Sequence, residues 1–430
     1  MSNSSASSSL NQVDGGVIHV TDRSHKYNAG WYRDEFAPVR QEVKMNFSKA
    51  MKAAVIIFTG AIAAAGLTAC GGIKTAADSP SKSGVKVGFI AALTGGAAAY
   101  GKSQEEGIRM AVEEINQKGA IPIELFVEDS KGSPSDAMNV TKRLIQKKAA
   151  VIIGPMTSNE AKAAGPIMQN AKIPSLEISV TAEGITEIGD YIFRNSVPES
   201  MNIPQTAKKT HRLLGYETAA ILYAHDNEQH VTAQKYFRKT LEEEGVKIVD
   251  VETFGSKDSE YSAQLTNIEN AKPDVVIVCS YYQEGARILK KMREMGMNQP
   301  VLGDNGFVSP ELGKMADAAA DNVYVSSMWS AARDTAATKT FVENYTKKYG
   351  HAPDQFAAAA YDGVYMAMDA VQRAGSVTDT RKIRDAMAEM KGFNGVCGTF
   401  SFDDKRDPVV DLVLLKMEDG VFLAVGKQSS

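Results

Sequence analysis

An alternation of short apolar runs with longer amphipathic patterns begins at Val85 and is the feature that most constrains the fold. The run VKVGFIAAL precedes a helical pattern over 101–118, whose apolar residues recur on one face. The run IELFVED precedes a second helix, which Ser133 is expected to cap and Pro134 to begin. Repeated strand–helix units of this kind form a parallel sheet with helices on both faces.

The alternation runs through two successive series. The first continues with AAVIIG, IPSLEIS and YIFRNS. The second begins after VPESMNIP with a helical pattern at 205–214 and contains TAAILYA, VKIVDVETF, PDVVIVCS, PVLGD and DNVYVSS. Helical patterns follow at 338–349, 356–374 and 380–391 with no clear strand between them, and GTFSFDD and VVDLVLLKM close the chain as strands. The pattern predicts an α/β protein with two doubly wound lobes, which binds its ligand between them, outside the carboxyl ends of the strands.

A secretory signal is predicted in the N-terminal part of the chain. Lys49 and Lys52 follow Met45, and 17 uncharged residues at 53–69 lead to Cys70. A positive segment, an apolar segment and small residues before a cleavage site define such signals. The sequence LTACGG resembles the lipobox of bacterial lipoproteins, so Cys70 is the expected site of lipidation. The alternatives are a membrane-spanning helix, for which the run is short, and an ordinary buried cysteine.

This signal divides the chain before Val85 into three parts. Residues 1–44 are polar and irregular, and we expect them to be translated upstream sequence, with Met45 as the true start. Residues 45–69 are the predicted lipoprotein signal peptide. Residues 70–83 are mostly small and polar, so they are expected to form a flexible tether.

The composition excludes several classes of partner and site. The net charge of the 430 residues is −4 at pH 7 and no long basic run occurs, so nucleic acid is not an expected partner. The cysteines Cys70, Cys279 and Cys397 form no CxxC pair, and the six histidines show no pair at ligand spacing, so no metal is expected. Neither G-x-S-x-G nor H-E-x-x-H occurs, and Cys397 has no local base, so we do not expect an enzyme.

The stretch GGAAAYGKS raises the question of a nucleotide site. From Gly96 to Ser103 it matches the P-loop pattern G-x-x-x-x-G-K-S, between a predicted strand and a predicted helix. A P-loop enzyme also needs a metal-holding aspartate after a buried strand, and IELFVED offers Glu128 and Asp129 there. An exported protein has no routine supply of ATP, which weighs against this interpretation.

Five stretches carry a resemblance to a known family: LTGGAAAYGKSQEEGIRMAVEEIN, AAVIIGPMTSNEAKAAGPI, KIPSLEISVTAEGIT, YIFRNSVPES and AAAAYDGVYMAMDAV. From about Val85 to Met417 the chain resembles bacterial periplasmic binding proteins of the leucine/isoleucine/valine-binding type, which are solute-binding subunits of ABC importers. The resemblance implies the type I periplasmic binding protein fold, in which two Rossmann-like lobes are joined by three interlobe strands and close on a ligand by hinge bending. The expected lobes are 84–200 plus 330–407 for lobe 1 and 201–329 plus 408–428 for lobe 2.

The resemblance also bears on the P-loop pattern. In this family the loop after the first strand often ends in an aromatic residue followed by glycine, and the ring forms a wall of the ligand cleft. Tyr100 and Gly101 match, so Lys102 is expected to be a solvent-facing residue at the start of a helix. The resemblance implies no cofactor and no nucleotide.

Three residues of the first series match family positions that bind a ligand carboxylate. Ser158 opens a helix, whose free N–H groups and partial positive charge suit an anion; the alternative is a simple N-cap. Ser179 and Thr181 follow the fourth strand and match positions that bind the same carboxylate, the first through its backbone and the second through its N–H and hydroxyl. The alternative for this pair is a turn that only shapes the loop.

The remaining candidates come from the second series and the late helices. His230 lies where the family often has a tyrosine followed by glycine, with a surface position as its alternative. Tyr281 matches a cleft tyrosine, and Phe356 matches an aromatic residue of the side-chain pocket, with helix packing as its alternative. Many amino-acid binders hold the ligand ammonium with an acid at the position of Asn305. Asp304 is one residue earlier, so either residue is a candidate.

The sequence therefore predicts a lipid-anchored solute-binding protein that binds a small amino acid, of the branched-chain type or related, and serves an ABC permease. It is expected to be a monomer in the periplasm or at the cell surface, held to the membrane by lipid at Cys70. The alternatives are a binder of an amide or carboxylate that lacks an ammonium group, and a ligand-sensing subunit for a signalling partner.

Overall fold

The computed structural model of the chain describes residues 84–119 and 121–426. The predicted upstream segment 1–44, the signal peptide 45–69, the lipidation site Cys70 and the tether 70–83 lie outside these described residues. No helix within the described ranges has the length and apolar character needed to cross a membrane.

The first series of strands forms a five-stranded parallel sheet in the order β2-β1-β3-β4-β5. Its strands are β1 (Val85–Ala91), β2 (Ile123–Asp129), β3 (Val151–Ile153), β4 (Ser175–Glu177) and β5 (Ile192–Arg194). The connecting helices are α1 (Ala98–Lys118), α2 (Pro134–Gln146) and α3 (Ser158–Ala171). Ser133 caps α2 and Pro134 is its first residue, as the sequence predicts.

The second series forms a seven-stranded sheet in the order β15-β14-β10-β9-β8-β6-β7. The pairs among β6 to β10 are parallel, and β14 is antiparallel to both β10 and β15. The strands are β6 (Thr218–Ala224), β7 (Lys247–Phe254), β8 (Val275–Cys279), β9 (Val301–Gly303), β10 (Val323–Ser327), β14 (Val413–Glu418) and β15 (Val421–Ala424). Its helices are α4 (Glu199–Leu214), α5 (Glu228–Glu243), α6 (Ser262–Ala271), α7 (Tyr282–Glu294) and α8 (Pro310–Ala316).

The late helices return to the first sheet. They are α9 (Ala336–Tyr349), α10 (Gln355–Ala374) and α11 (Thr380–Ala388). A small antiparallel sheet follows them, made of β11 (Phe393–Gly395), β12 (Gly398–Phe402) and β13 (Pro408–Val409). Phe89 of β1, Ile108 of α1 and Val364 of α10 belong to one buried cluster, which packs these helices on the first sheet.

Each large sheet is covered on both faces and forms one lobe. In the first lobe α1 and α10 pack on one face and α2 and α3 on the other. In the second lobe α4 and α5 pack on one face and α6 and α7 on the other. The chain passes between the lobes after β5, after β10 and between β13 and β14. Two doubly wound lobes are therefore present as predicted, whereas the residue boundaries of the lobes stay a prediction.

Helix α4 begins earlier than the sequence pattern indicates. The pattern starts it at Gln205, because Pro204 lacks the N–H that a helix interior needs. In the structure α4 begins at Glu199 and contains Pro204, at the cost of one backbone hydrogen bond. This difference matters because it places Glu199 at the start of a helix, immediately after the first passage between the lobes.

Candidate functional site

Tyr100 connects the two lobes across the cleft. It is buried in the first turn of α1, and its ring lies 4.6 Å from that of Phe356 and 5.0 Å from that of Tyr282, measured between centroids. Its hydroxyl donates to the carbonyl of Gly306 and accepts from the backbone N–H of Tyr282 at 3.0 Å. Tyr282 and Gly306 belong to the second lobe, so the cleft is closed at this point and Tyr100 lies in its wall.

The P-loop pattern does not form a phosphate loop. Residues 98–103 are already helical, so their backbone is not free to surround a phosphate. A Cβ atom on Gly101 would lie 2.1 Å from the carbonyl oxygen of Ala92, because α1 begins directly against the end of β1. Lys102 is exposed, and the hydroxyl of Ser103 donates to the carboxylate of Asp354. The glycine of the pattern therefore serves close packing, and the lysine faces solvent as predicted.

The hydroxyls of Ser158 and Ser179 lie at the carboxyl ends of β3 and β4. Thr157, not Ser158, is the N-cap of α3, because its hydroxyl accepts from the N–H of Glu160 at 3.3 Å. The N-cap alternative for Ser158 is therefore wrong, and its hydroxyl instead accepts from the N–H of Ala182 at 3.2 Å. The Ser179 hydroxyl donates to the carbonyl of Met156 at 2.6 Å and accepts from the Gln104 amide at 2.8 Å.

His230, Asp304 and Tyr281 form a buried group on the second lobe. Nδ1 of His230 lies 2.6 Å from Oδ2 of Asp304, and the His230 ring packs edge-on against Tyr281 with centroids 4.7 Å apart. Oδ1 of Asp304 accepts from the backbone N–H of Gly306 at 3.1 Å. Since His230 is 1% exposed, the alternative that it is a surface residue is excluded.

A small cavity lies between the lobes beside the passages of the chain. Of the predicted site residues, Ser179, Asn305 and Phe356 line it. Its polar lining is completed by Ser196, Asn202 and Gln355, and its apolar lining by Ile178, Val197, Met328, Ala359 and Leu412. The Gln355 amide donates to the Asn305 side-chain oxygen at 3.3 Å. The volume of this cavity is about 10 Å³, which is room for about one water molecule, so an amino acid fits only when the lobes move apart. The lining combines hydrogen-bonding groups with aliphatic and aromatic surface, which suits a small amphiphilic ligand.

Glu199 is a buried acid that the sequence analysis did not single out. Its Oε1 accepts from the Thr181 hydroxyl at 3.1 Å and from the backbone N–H of Asn305 at 3.3 Å. Burial, and then the negative charge of nearby Asp304, raise the pKa of the Glu199 carboxyl well above its usual value. The sequence does contain a signal that could have identified Glu199. In VPES a proline is followed by an acid, as in the first turn of many helices.

A second set of polar contacts closes the cleft at its solvent-facing edge. Lys162 of α3 lies 2.6 Å from the carboxylate of Glu228, whose backbone N–H donates to the side chain of Asn159 at 2.9 Å. Lys235 of α5 lies 2.7 Å from the carboxylate of Glu183. We call this set the clasp, and it comprises Asn159, Lys162 and Glu183 of the first lobe and Asp226, Glu228, Lys235 and Tyr236 of the second.

The two described cysteines lie outside this site. Cys279 is at the end of β8 and packs in the core of the second lobe. Cys397 is also buried, and burial, followed by the charge of Asp362, raises the pKa of its thiol well above the usual value. No group of His, Cys, Asp and Glu in the described part of the chain is arranged to hold a metal ion.

This architecture is shared with known proteins. A family profile described as periplasmic binding protein matches residues 84–420. A leucine-, isoleucine-, valine-, threonine- and alanine-binding protein of Pseudomonas aeruginosa is 24% identical over 328 residues, 75% of this chain and 87% of that protein.

Two solved structures align over most of the described chain. One is the branched-chain amino acid transporter substrate-binding protein LivJ of Streptococcus pneumoniae in complex with isoleucine, with 30% identity, a TM-score of 0.75, and coverage of 79% of this chain and 98% of that one. The other is an ABC transporter solute-binding protein of Rhodopseudomonas palustris in complex with 3,4-dihydroxybenzoic acid, with 26% identity, a TM-score of 0.72, and coverage of 79% and 96%.

Proposed function

This chain belongs to the periplasmic binding protein family, and from that premise we propose that it carries a small amino acid, of the branched-chain type or related, in the cleft between its lobes. The predicted family, the type I fold and the absence of a catalytic role are confirmed by this membership, because the family is a non-enzymatic solute-binding component of ABC transporters. Delivery of the ligand to an ABC permease, outside the cytoplasm, follows from the same family assignment.

The interlobe cavity is the single observation that carries the choice of ligand. Its polar side contains Ser179, which follows β4. Ser158 is the first residue of α3, and its hydroxyl bonds to Ala182, the neighbour of Thr181 in the loop after β4. Hydroxyls beside the partial positive charge of a helix N-terminus suit a carboxylate. The apolar side, with Val197 and Phe356, suits a short aliphatic side chain. A small apolar amino acid has both parts.

A second candidate is a carboxylate that lacks an ammonium group. It is supported by Asn305, which provides a neutral amide where many amino-acid binders have an acid, and by Asp304, whose two oxygens are already bonded to His230 and Gly306. The relative that binds 3,4-dihydroxybenzoic acid is an aromatic carboxylate binder with the same fold.

Ligand binding is expected to change the fluorescence of Trp329, the only tryptophan of a protein that begins at Cys70. Trp329 follows β10 in a passage between the lobes, is 4% exposed, and its neighbour Met328 lines the cavity. Hinge closure changes the backbone in such passages and the polarity around the indole. We expect a saturable shift at one site per chain, together with stabilisation by about 2.7 kcal/mol at a ligand concentration of ~100 Kd.

The measurement is a fluorescence titration beside calorimetry, with amino acids, amides and small acids as ligands. A wild type that binds an aromatic acid and no amino acid would favour the second candidate. Tight calorimetric binding with flat emission and an unchanged radius of gyration would reject closure around the Trp329 passage.

Lipid anchoring at Cys70 is expected to be abolished by Cys70→Ser. A serine has no thiol to accept the lipid, so the variant should be unlipidated, poorly processed and absent from the washed membrane fraction. The measurement is membrane partitioning and intact mass of the expressed wild type and variant. Cys397→Ser provides a matched control that should leave partitioning unchanged, and membrane retention of Cys70→Ser would contradict the lipobox.

A further inference from the structure

Arg194 is a buried charge next to residues 178–183, which we call the β4 loop and which contain the predicted carboxylate-binding residues Ser179 and Thr181. It is the last residue of β5 and is 3% exposed. Its Nε and Nη2 donate to the two carboxylate oxygens of Asp407, which is itself buried. Because this pair is bidentate, neither buried charge lacks a partner.

The third nitrogen of the guanidinium group contacts the β4 loop. Nη1 of Arg194 donates to the carbonyl oxygen of Ala182 at 2.7 Å. A guanidinium group is planar and holds its N–H groups in a rigid fork. When Asp407 fixes two of the nitrogens, the direction of the third is therefore fixed as well, and with it the position of the Ala182 carbonyl.

Ala182 is held from two sides. Its carbonyl accepts from Arg194, and its N–H donates to the hydroxyl oxygen of Ser158 at 3.2 Å. A hydroxyl that accepts one hydrogen bond still has its own hydrogen to donate. The Ala182 N–H occupies one lone pair of the Ser158 oxygen and so influences where the hydroxyl hydrogen points. Arg194 thus acts on Ser158 through one peptide residue, without contact with a ligand.

The same peptide group also meets the second lobe. The N–H of Glu183, which shares a peptide bond with the Ala182 carbonyl, donates to the Thr232 hydroxyl on α5 at 3.4 Å. A charged donor on a carbonyl polarises the peptide group and strengthens its N–H as a donor. The Glu183 side chain belongs to the clasp. Arg194 therefore fixes the point at which the β4 loop contacts the other lobe.

A second arginine of the same network does not contact the β4 loop. Arg406 precedes Asp407 in the chain, and its guanidinium group donates to the carbonyls of Thr186 at 2.6 Å and Ile192 at 3.1 Å. Neither carbonyl belongs to the β4 loop. Arg406 thus stabilises the same part of the first lobe and provides a matched comparison for Arg194.

We infer that Arg194 is a positioning residue for ligand binding. Clamped by Asp407, it holds the Ala182 carbonyl and thereby orients the Ser158 hydroxyl toward the ligand carboxylate. The inference rests on the proposed function only in that the ligand has a carboxylate, which both candidate classes of ligand share.

The first test is hydrogen exchange of the ligand-free protein. Arg194→Lys keeps a positive charge beside Asp407, but an ammonium group lacks the rigid fork that reaches Asp407 and Ala182 together. We expect the amides of the β4 loop to exchange on the order of tenfold faster, whereas those of β6 should keep the wild-type rate. Arg406→Lys makes the same chemical change and should leave the β4 loop unaltered. Unchanged exchange of the β4 loop in Arg194→Lys, or equal acceleration in β6, would overturn the inference.

The second test is calorimetry with L-isoleucine and with 3-methylpentanoate, which has the same carbon skeleton and carboxylate and no ammonium. Arg194→Lys should bind the preferred ligand of the wild type about 10-fold more weakly, and Arg406→Lys less than about 2-fold more weakly. In a Ser158→Ala background the loss caused by Arg194→Lys should shrink to less than about threefold, because the hydroxyl that it orients is absent.

The outcomes separate this inference from the proposed function. Equal losses for Arg194→Lys and Arg406→Lys would assign Arg194 a general structural role, and additive effects of Arg194→Lys and Ser158→Ala would exclude action through Ser158; either result overturns the inference. A wild type that prefers 3-methylpentanoate to L-isoleucine would instead refute the proposed amino-acid ligand, and the comparison of the two arginines is then decided with 3-methylpentanoate.

Discussion

Removing the Ser158 hydroxyl by Ser158→Ala is expected to weaken ligand binding by about 10- to 150-fold. A hydrogen bond to a charged group contributes roughly 1.5–3 kcal/mol, and each 1.4 kcal/mol is a factor of ten in Kd. Thr181→Val is a less direct test, because the Thr181 hydroxyl donates its one hydrogen to Glu199. The measurement is calorimetry with the ligand that the wild type binds.

A loss of stability must be separated from a loss of affinity in this experiment. The Ser158 hydroxyl accepts from the N–H of Ala182, so Ser158→Ala leaves a buried donor without its partner and should lower the free energy of unfolding by roughly 1 kcal/mol or more. Ser158→Thr keeps the hydroxyl and serves as the control. Wild-type affinity of Ser158→Ala would place the ligand carboxylate elsewhere in the cleft.

Gly101→Val is expected to lower the free energy of unfolding by about 3 kcal/mol, because a larger residue cannot be accommodated there without a backbone shift. A Cβ at this position would lie 2.1 Å from the carbonyl oxygen of Ala92 and 2.6 Å from its carbonyl carbon, and backbone atoms cannot rotate out of the way. The variant should also bind ligand poorly, since the shift moves its neighbour Tyr100 away from Gly306. The measurement is denaturant unfolding.

Gly96 offers a matched control within the same short stretch. No atom lies within 4 Å of a Cβ built on Gly96, and its backbone is not in the left-handed region. Gly96→Ala should therefore change stability by less than about 0.5 kcal/mol. Equal effects of Gly96→Ala and Gly101→Val would contradict the packing explanation. A phosphate-binding loop would instead depend on both glycines.

The fold could be predicted from the sequence because its signals are local. The apolar runs and one-sided helical faces identify strands and helices, and their alternation dictates parallel sheets with helices on both faces. The misjudged start of α4 shows where this local reasoning fails. A proline normally ends a helical pattern, but packing of Ile203 and Ala207 in the second lobe outweighs the single hydrogen bond that Pro204 removes.

The candidate site could be predicted only in part. Tyr100, Ser158 and Ser179 follow strand ends, so the topology alone brings them to the cleft. The partner of each side chain depends on contacts between distant parts of the chain, and a pattern of single residues does not contain them. Asp304 was a reasonable ammonium partner by position, but its bonds to His230 and Gly306 emerge only in three dimensions.

The clasp at the edge of the cleft stabilises the closed form and therefore affects the apparent dissociation constant of every ligand. If a fraction f of ligand-free molecules is already closed, the apparent dissociation constant is the intrinsic constant divided by f. Every ligand that binds the closed form experiences the same f, so the clasp scales all affinities together and leaves their ratios unchanged. Its charged pairs are exposed, and salt screens such pairs. Ionic strength therefore acts on how tightly this protein holds its ligands, whereas the buried groups of the cleft determine which ligands it holds.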